Sequence, residues 1–183
     1  MTRLFVDMDG TLARFHDEVQ YLERMFEKGF FLGLMPFEEA VEAINSIAAA
    51  DNDCEVFILS AAIDGEPPYC RDEKHQWLDK YCPNIDREHR IFTQTGVPKI
   101  EYIPGGISET DILWDDYNKN LEEWQEAGGT AVKCHNNINH KGLIGTLWQG
   151  ALVSNIAFAG EIENNIRKII WDCDNSDDWD MDR

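Results

Sequence analysis

Leu4-Phe5-Val6-Asp7-Met8-Asp9-Gly10-Thr11-Leu12 is the stretch from which the rest of the chain is read. An apolar run bounded by a turn signal describes a strand buried on both faces, as in a parallel sheet. In extended backbone, side chains two apart share a face, so Asp7 and Asp9 point one way and Met8 the other. Gly10 lets the chain bend away and leaves both carboxylates at the carboxyl end of the strand, where open α/β sheets bind their ligands. Two like charges held this close call for a cation. A calcium loop of the EF-hand type needs its glycine at the sixth position and does not follow a buried strand. A solvated acidic turn is the plainer alternative, and residues further along weigh against it.

Working outward, the 183 residues suit one domain with a real core. No apolar run reaches membrane-spanning length and no signal-peptide pattern opens the sequence, so no membrane partner is expected. Five cysteines (Cys54, Cys70, Cys82, Cys134 and Cys173) lack any C-x-x-C spacing and read as reduced thiols of a cytoplasmic protein. Thirty-five acidic residues against 16 basic ones give a net charge of −19, which disfavours a nucleic-acid polymer as partner.

After the first strand, Asp17 offers a helix N-cap, and Val19, Leu22 and Phe26 recur at helical spacing up to Gly29. The apolar Gly29-Phe30-Phe31-Leu32-Gly33-Leu34-Met35-Pro36 follows, and Pro36 opens a second helix running to about Ala50. A strand over 55–59 ends in Ser60-Ala61-Ala62. A helix over 72–81, a strand over 89–92 and a loop over 93–108 come next. A strand over 111–114 ends in Asp115-Asp116. A helix over 121–127, a strand over 130–132 and a helix through Ile162, Ile166 and Ile170 complete the series. This alternation predicts an α/β fold, a doubly wound parallel sheet with a small helical cap (about 13–35) inserted after the first strand. The domain is expected to span 1–171, with 172–183 a solvated acidic tail.

Three strand ends then converge, bringing Asp7 with Asp9, Ser60, and Asp115 with Asp116. With a lysine, these describe a magnesium-dependent phosphoryl-transfer site. Asp7 would be the nucleophile and Asp9 the general acid and base, and Asp7, Asp9 through its backbone carbonyl, Asp115 and Asp116 are the candidate Mg²⁺ ligands. Ser60 and the backbone at Ala61 would hold the phosphate. Taken singly, Ser60 reads as a turn residue, Lys74 and Lys99 as surface lysines, and Phe15, Phe30 and Phe31 as core. Cys134, His135 and His140 fit no structural zinc spacing.

The opening motif resembles that of the haloacid-dehalogenase-like (HAD-like, Rossmannoid) phosphohydrolases. Within them the chain resembles the 5'(3')-deoxyribonucleotidases of the pyrimidine, cytosolic type. Asp-Met-Asp-Gly with Phe15, the Gly29–Pro36 stretch, Val56-Phe57-Ile58, Glu73-Lys74 with Trp77, Asp115-Asp116 and Cys134-His135-Asn136 carry the likeness. The resemblance implies hydrolysis of nucleoside monophosphates through an aspartyl-phosphate. It assigns catalytic roles to Asp7, Asp9, Ser60 and Lys99, and phosphate binding to Ser60, Ala61, Lys74 and Lys99. Phe15 and Phe31, with Phe30, would form a base-binding wall. The cap is shorter than in the vertebrate enzymes, so a homodimer whose second subunit completes the pocket stays open. A phosphatase for another metabolite, such as a sugar phosphate, and a catalytically silent phosphate-binding module are the rival readings.

Overall fold

The computed structural model describes residues 1–50, 54–63, 69–136 and 148–175. Among these residues six strands make one sheet: β1 (Thr2–Val6), β2 (Cys54–Ala62), β3 (Arg90–Gln94), β4 (Asp111–Asp115), β5 (Thr130–His135) and β6 (Ala151–Ser154). All neighbours pair in parallel, in the order β3-β2-β1-β4-β5-β6. The order reverses between β1 and β4, and a crevice opens there at the carboxyl ends of the strands. Among the described residues five helices connect and cover the sheet: α1 (Tyr21–Arg24), α2 (Glu38–Ala49), α3 (Tyr69–Tyr81), α4 (Asn118–Glu126) and α5 (Ala159–Asp174).

Strand alternation sorts the core into two layers. Leu4, Val6, Val56, Ile58, Ile112, Trp114, Val132 and Val153 pack with α2, α3 and α5. Phe5, Leu59, Leu113 and Ala131 pack with Leu121 and Trp124 of α4. Extending the second set by two residues gives Asp7 after Phe5, Asp115 after Leu113 and Lys133 after Ala131. The same periodicity that buries the hydrophobic face thus delivers charged groups to one side of the crevice.

The excursion after β1 is closed at its base. Arg14 N–H donates to Met35 O and Phe37 N–H to Leu12 O, both at 2.8 Å, beside the Ala13–Pro36 bridge. From α3, the buried Glu73 carboxylate accepts the N–H groups of Gly29 (2.5 Å) and Phe31 (3.1 Å), and Trp77 Nε1 donates to Leu34 O at 2.8 Å. One turn of one helix therefore pins the Gly29–Pro36 stretch.

The cap helix differs from the reading by periodicity. It is a single turn, preceded by Gln20 in the left-handed region at φ 57°. Val19, Leu22 and Phe26 are exposed, while Phe15, Tyr21 and Met25 pack on the core. One turn is too short for a 3.6-residue stripe to set which face is buried. The other elements differ from their expected bounds by a few residues at either end, and β6 is an addition. Helix α5 runs to Asp174, into the stretch expected to begin the tail. The turn at 51–53, the loop at 64–68, His140 and residues 176–183 lie outside the described residues. Among the described residues no helix is long and apolar enough to cross a membrane, and no disulfide joins any of the five cysteines.

Candidate active site

The crevice holds a cavity of about 560 Å³, lined on its floor by Asp7, Asp9, Ala61, Lys99, Asp115, Asp116 and Lys133. Lys99 stands on a 3₁₀ turn (Lys99–Tyr102) after Pro98 and is buried, contrary to its reading as a surface lysine. Its Nζ donates to Asp7 Oδ1 at 2.6 Å and to Asp115 Oδ2 at 2.7 Å. Burial alone would lower the Lys99 pKa, but the two carboxylates outweigh it and raise it. Asp115 is held further by Tyr117 N–H (2.7 Å, to Oδ1) and Asn120 Nδ2 (2.9 Å, to Oδ2). This ties the first turn of α4 to the end of β4.

A second lysine serves a second carboxylate. Lys74, also buried rather than on the surface, reaches from α3 to donate to Asp9 Oδ2 (2.5 Å), Ala61 O (2.6 Å) and Ser60 Oγ (3.0 Å). Asp9 Oδ1 is buried without a hydrogen-bond partner among the described residues. Asp7 and Asp9 thus meet different cations, although they leave the same strand two residues apart.

Asp7, Asp115 and Asp116 bring one carboxylate oxygen each to within 4.8 Å of one another. Burial, with Asp115 and Asp9, lifts the Asp7 pKa to about 7 against the pull of Lys99. Burial, Asp115 and Asp7 push Asp116 well above the ordinary carboxylate range. An all-oxygen donor set with this excess of negative charge fits a hard divalent cation such as Mg²⁺. The Asp9 side chain lies outside this cluster and is engaged by Lys74, which leaves only the Asp9 backbone carbonyl, the atom expected from the sequence, as its route to a cation. Asp116 is oriented by Asn136 Nδ2, which donates to its Oδ2 (3.1 Å) and to Gly10 O (2.8 Å). Gly10, at φ 93°, comes so close that a β-carbon there would lie 2.3 Å from Asp116 Oδ2. This explains the glycine after the paired acids.

The aromatic wall is also revised. Phe15 lines the cavity beside His16 and Tyr21, but Phe30 and Phe31 do not. They are 5% and 2% exposed, and Phe31 stacks behind Phe15 with ring centroids 5.9 Å apart. Phe31 is enclosed further by Phe30 at 5.2 Å and by the Lys74 ammonium 5.0 Å from its ring. Tyr117 and Asn118 close the opposite rim. Sequence reasoning missed His16, Tyr21, Tyr117, Asn120 and Lys133. The last had a signal, a lysine inside an otherwise apolar parallel strand.

The fold is that of the HAD hydrolases. A HAD family hydrolase from Deinococcus radiodurans R1, with bound phosphate and sodium, aligns at a TM-score of 0.57 and 13% identity, covering 92% of this chain and 96% of its own. The family model described as "5' nucleotidase, deoxy (Pyrimidine), cytosolic type C protein" matches residues 16–154, and the chain belongs to that family. A Staphylococcus epidermidis protein named "Putative 5'(3')-deoxyribonucleotidase" is 27% identical over 115 residues, covering 63% of this chain and 56% of the relative. The chain therefore aligns with little more than half the length of that curated relative.

Proposed function

We propose that the chain is a Mg²⁺-dependent phosphomonoesterase that acts on deoxyribonucleoside monophosphates through an aspartyl-phosphate on Asp7. The observation that carries this reading is the division of labour between the two lysines. Lys99 holds Asp7 with Asp115, and Lys74 holds Asp9 with Ser60 and Ala61.

Asp7 attacks phosphorus. Lys99 fixes the carboxylate and offsets charge on the transferring group. Ser60 is fully buried and outside the cavity lining, where its Oγ accepts from Lys74 and holds that lysine beside Asp9, while Ala61 lines the cavity where the phosphate would sit. Asp9 sits two residues beyond the nucleophile and protonates the departing alcohol. It then takes a proton from the water that clears the acyl phosphate. Asp7, Asp115 and Asp116 would hold Mg²⁺, which supplies Lewis-acid polarisation and charge neutralisation at the phosphate when bound. Phe15 offers a ring face to the leaving group, a contact suited to a nucleobase.

Phosphate release from deoxynucleoside, ribonucleoside and sugar monophosphates, measured with Mg²⁺ and with EDTA, tests the reading. Turnover of deoxynucleoside monophosphates that EDTA abolishes supports it. Preference for sugar phosphates removes the nucleotide assignment, and no turnover of any ester removes the enzyme.

A further inference from the structure

Lys133 has no part in the reaction above, yet it stands on the floor of the same cavity. It lies in β5, beside Asp115 in the strand register, and is 4% exposed. Its Nζ donates to the backbone carbonyl of Asp116. Burial lowers its pKa, and the nearby carboxylates of Asp116 and Asp115 offset this only in part. A lysine inside a parallel sheet is costly unless fixed charge of opposite sign surrounds it.

Two lysines attend the three clustered carboxylates: Lys99, paired with Asp7 and Asp115, and Lys133, which reaches from β5 to the Asp116 carbonyl. With the three carboxylates ionised, the form that takes up a cation, and both ammonium groups present, the cluster is one negative charge from neutral. With Lys99 alone it would match a divalent ion in charge. We infer that Lys133 is a positioning residue and a standing counter-charge. It holds the Asp115-Asp116 turn through the Asp116 carbonyl, steadies the metal-free cluster, and keeps the affinity for the divalent cation low enough for exchange. The inference rests on the proposed Mg²⁺ site.

The test is Mg²⁺ titration by calorimetry without substrate, on the wild-type chain, Lys133→Gln and Lys133→Arg. Glutamine keeps a donor in reach of the Asp116 carbonyl but removes the charge, and arginine keeps the charge. Lys133→Gln is expected to bind Mg²⁺ about tenfold more tightly, the scale of removing one like charge at short range in a partly screened site. Lys133→Arg should stay close to wild type. The unfolding midpoint of Lys133→Gln should be lower than wild type in EDTA and should rise more steeply with Mg²⁺.

If Lys133→Gln folds only with the cation, that Mg²⁺ dependence of its midpoint gives the comparison directly. A rise no steeper than wild type overturns the inference. Equal or weaker Mg²⁺ binding by Lys133→Gln overturns it while leaving the metal site intact. No Mg²⁺ binding by any of the three proteins removes the metal site and the inference together.

Discussion

Lys99 and Asp7, 92 residues apart in sequence, meet at 2.6 Å with both side chains more than nine-tenths buried. Neither group would be stable there without the other, since an unpaired buried charge costs several kcal/mol. The pair is shared with Asp115, which lets one lysine serve the nucleophile and the acidic turn at once.

Asp7→Asn is therefore expected to abolish turnover while the protein remains folded, because Lys99 keeps Asp115 and the amide oxygen can still accept its hydrogen bond. Activity at the detection limit, with an unchanged far-UV spectrum, is the expected result. Lys99→Met should cost both activity and about 3 kcal/mol or more of stability, since it leaves two buried carboxylates unpaired. A Lys99→Met protein as stable as wild type would show that the buried pair is not what holds this end of the sheet.

Asp9 meets a different lysine and has a different task. Asp9→Asn should slow alkyl phosphates much more than activated aryl phosphates, whose leaving groups need little proton donation. Comparing kcat for a nucleoside monophosphate and p-nitrophenyl phosphate measures this. Equal losses on both would remove Asp9 as the acid.

Away from the site, Asp79 accepts hydrogen bonds from Arg87 and Arg90, which together hold its pKa down to about 2, below the ordinary value of 3.8. A depressed carboxylate contributes stability that is complete above its unfolded pKa and is lost as the pH falls through the folded one. The side chain is 41% exposed, so solvent screening limits the contribution to about 1 kcal/mol or less. Asp79→Asn should be less stable than wild type in urea at neutral pH, with the difference shrinking between about pH 4 and pH 2. A difference that stays constant over that range would remove the ion pairs as its cause.

Much of this arrangement could be read in advance because it follows strand periodicity. Asp7, Asp9, Ser60 and the Asp115-Asp116 pair each end an apolar run, and buried parallel strands announce themselves that way. Lys74 and Lys99 are placed by tertiary contacts that no local pattern encodes. Lys74 faces inward from a helix of low mean hydropathy, and Lys99 stands on a short turn after Pro98. The cap was misread for a related reason. Val19, Leu22 and Phe26 have helical spacing, but the left-handed Gln20 and the anchoring of Gly29 and Phe31 by Glu73 set that segment's path.

That path decides specificity. Phosphate chemistry needs only the floor of the cavity, so discrimination among leaving groups falls to the rim, where Phe15 is half-buried and lines the cavity and Phe31 lies behind it. The two rings are nearly parallel, 12° apart, and Phe31 also carries the Lys74 ammonium over its face. Phe15 can therefore stack on a base, whereas Phe31 supports Phe15 and Lys74 from within the core. Phe15→Ala should raise KM for deoxynucleoside monophosphates roughly tenfold, on the order of one stacking contact, and leave acetyl phosphate, which has no ring, nearly unchanged. Phe31→Ala should instead destabilise the protein by about 3–5 kcal/mol through the cavity it leaves, and should slow both substrates by similar factors. Kinetics on the two substrates, paired with denaturant unfolding, separate the roles. A Phe31→Ala variant of wild-type stability that lost only nucleotide turnover would move the base-binding surface to Phe31. Equal effects of Phe15→Ala on both substrates would remove stacking as the source of selectivity.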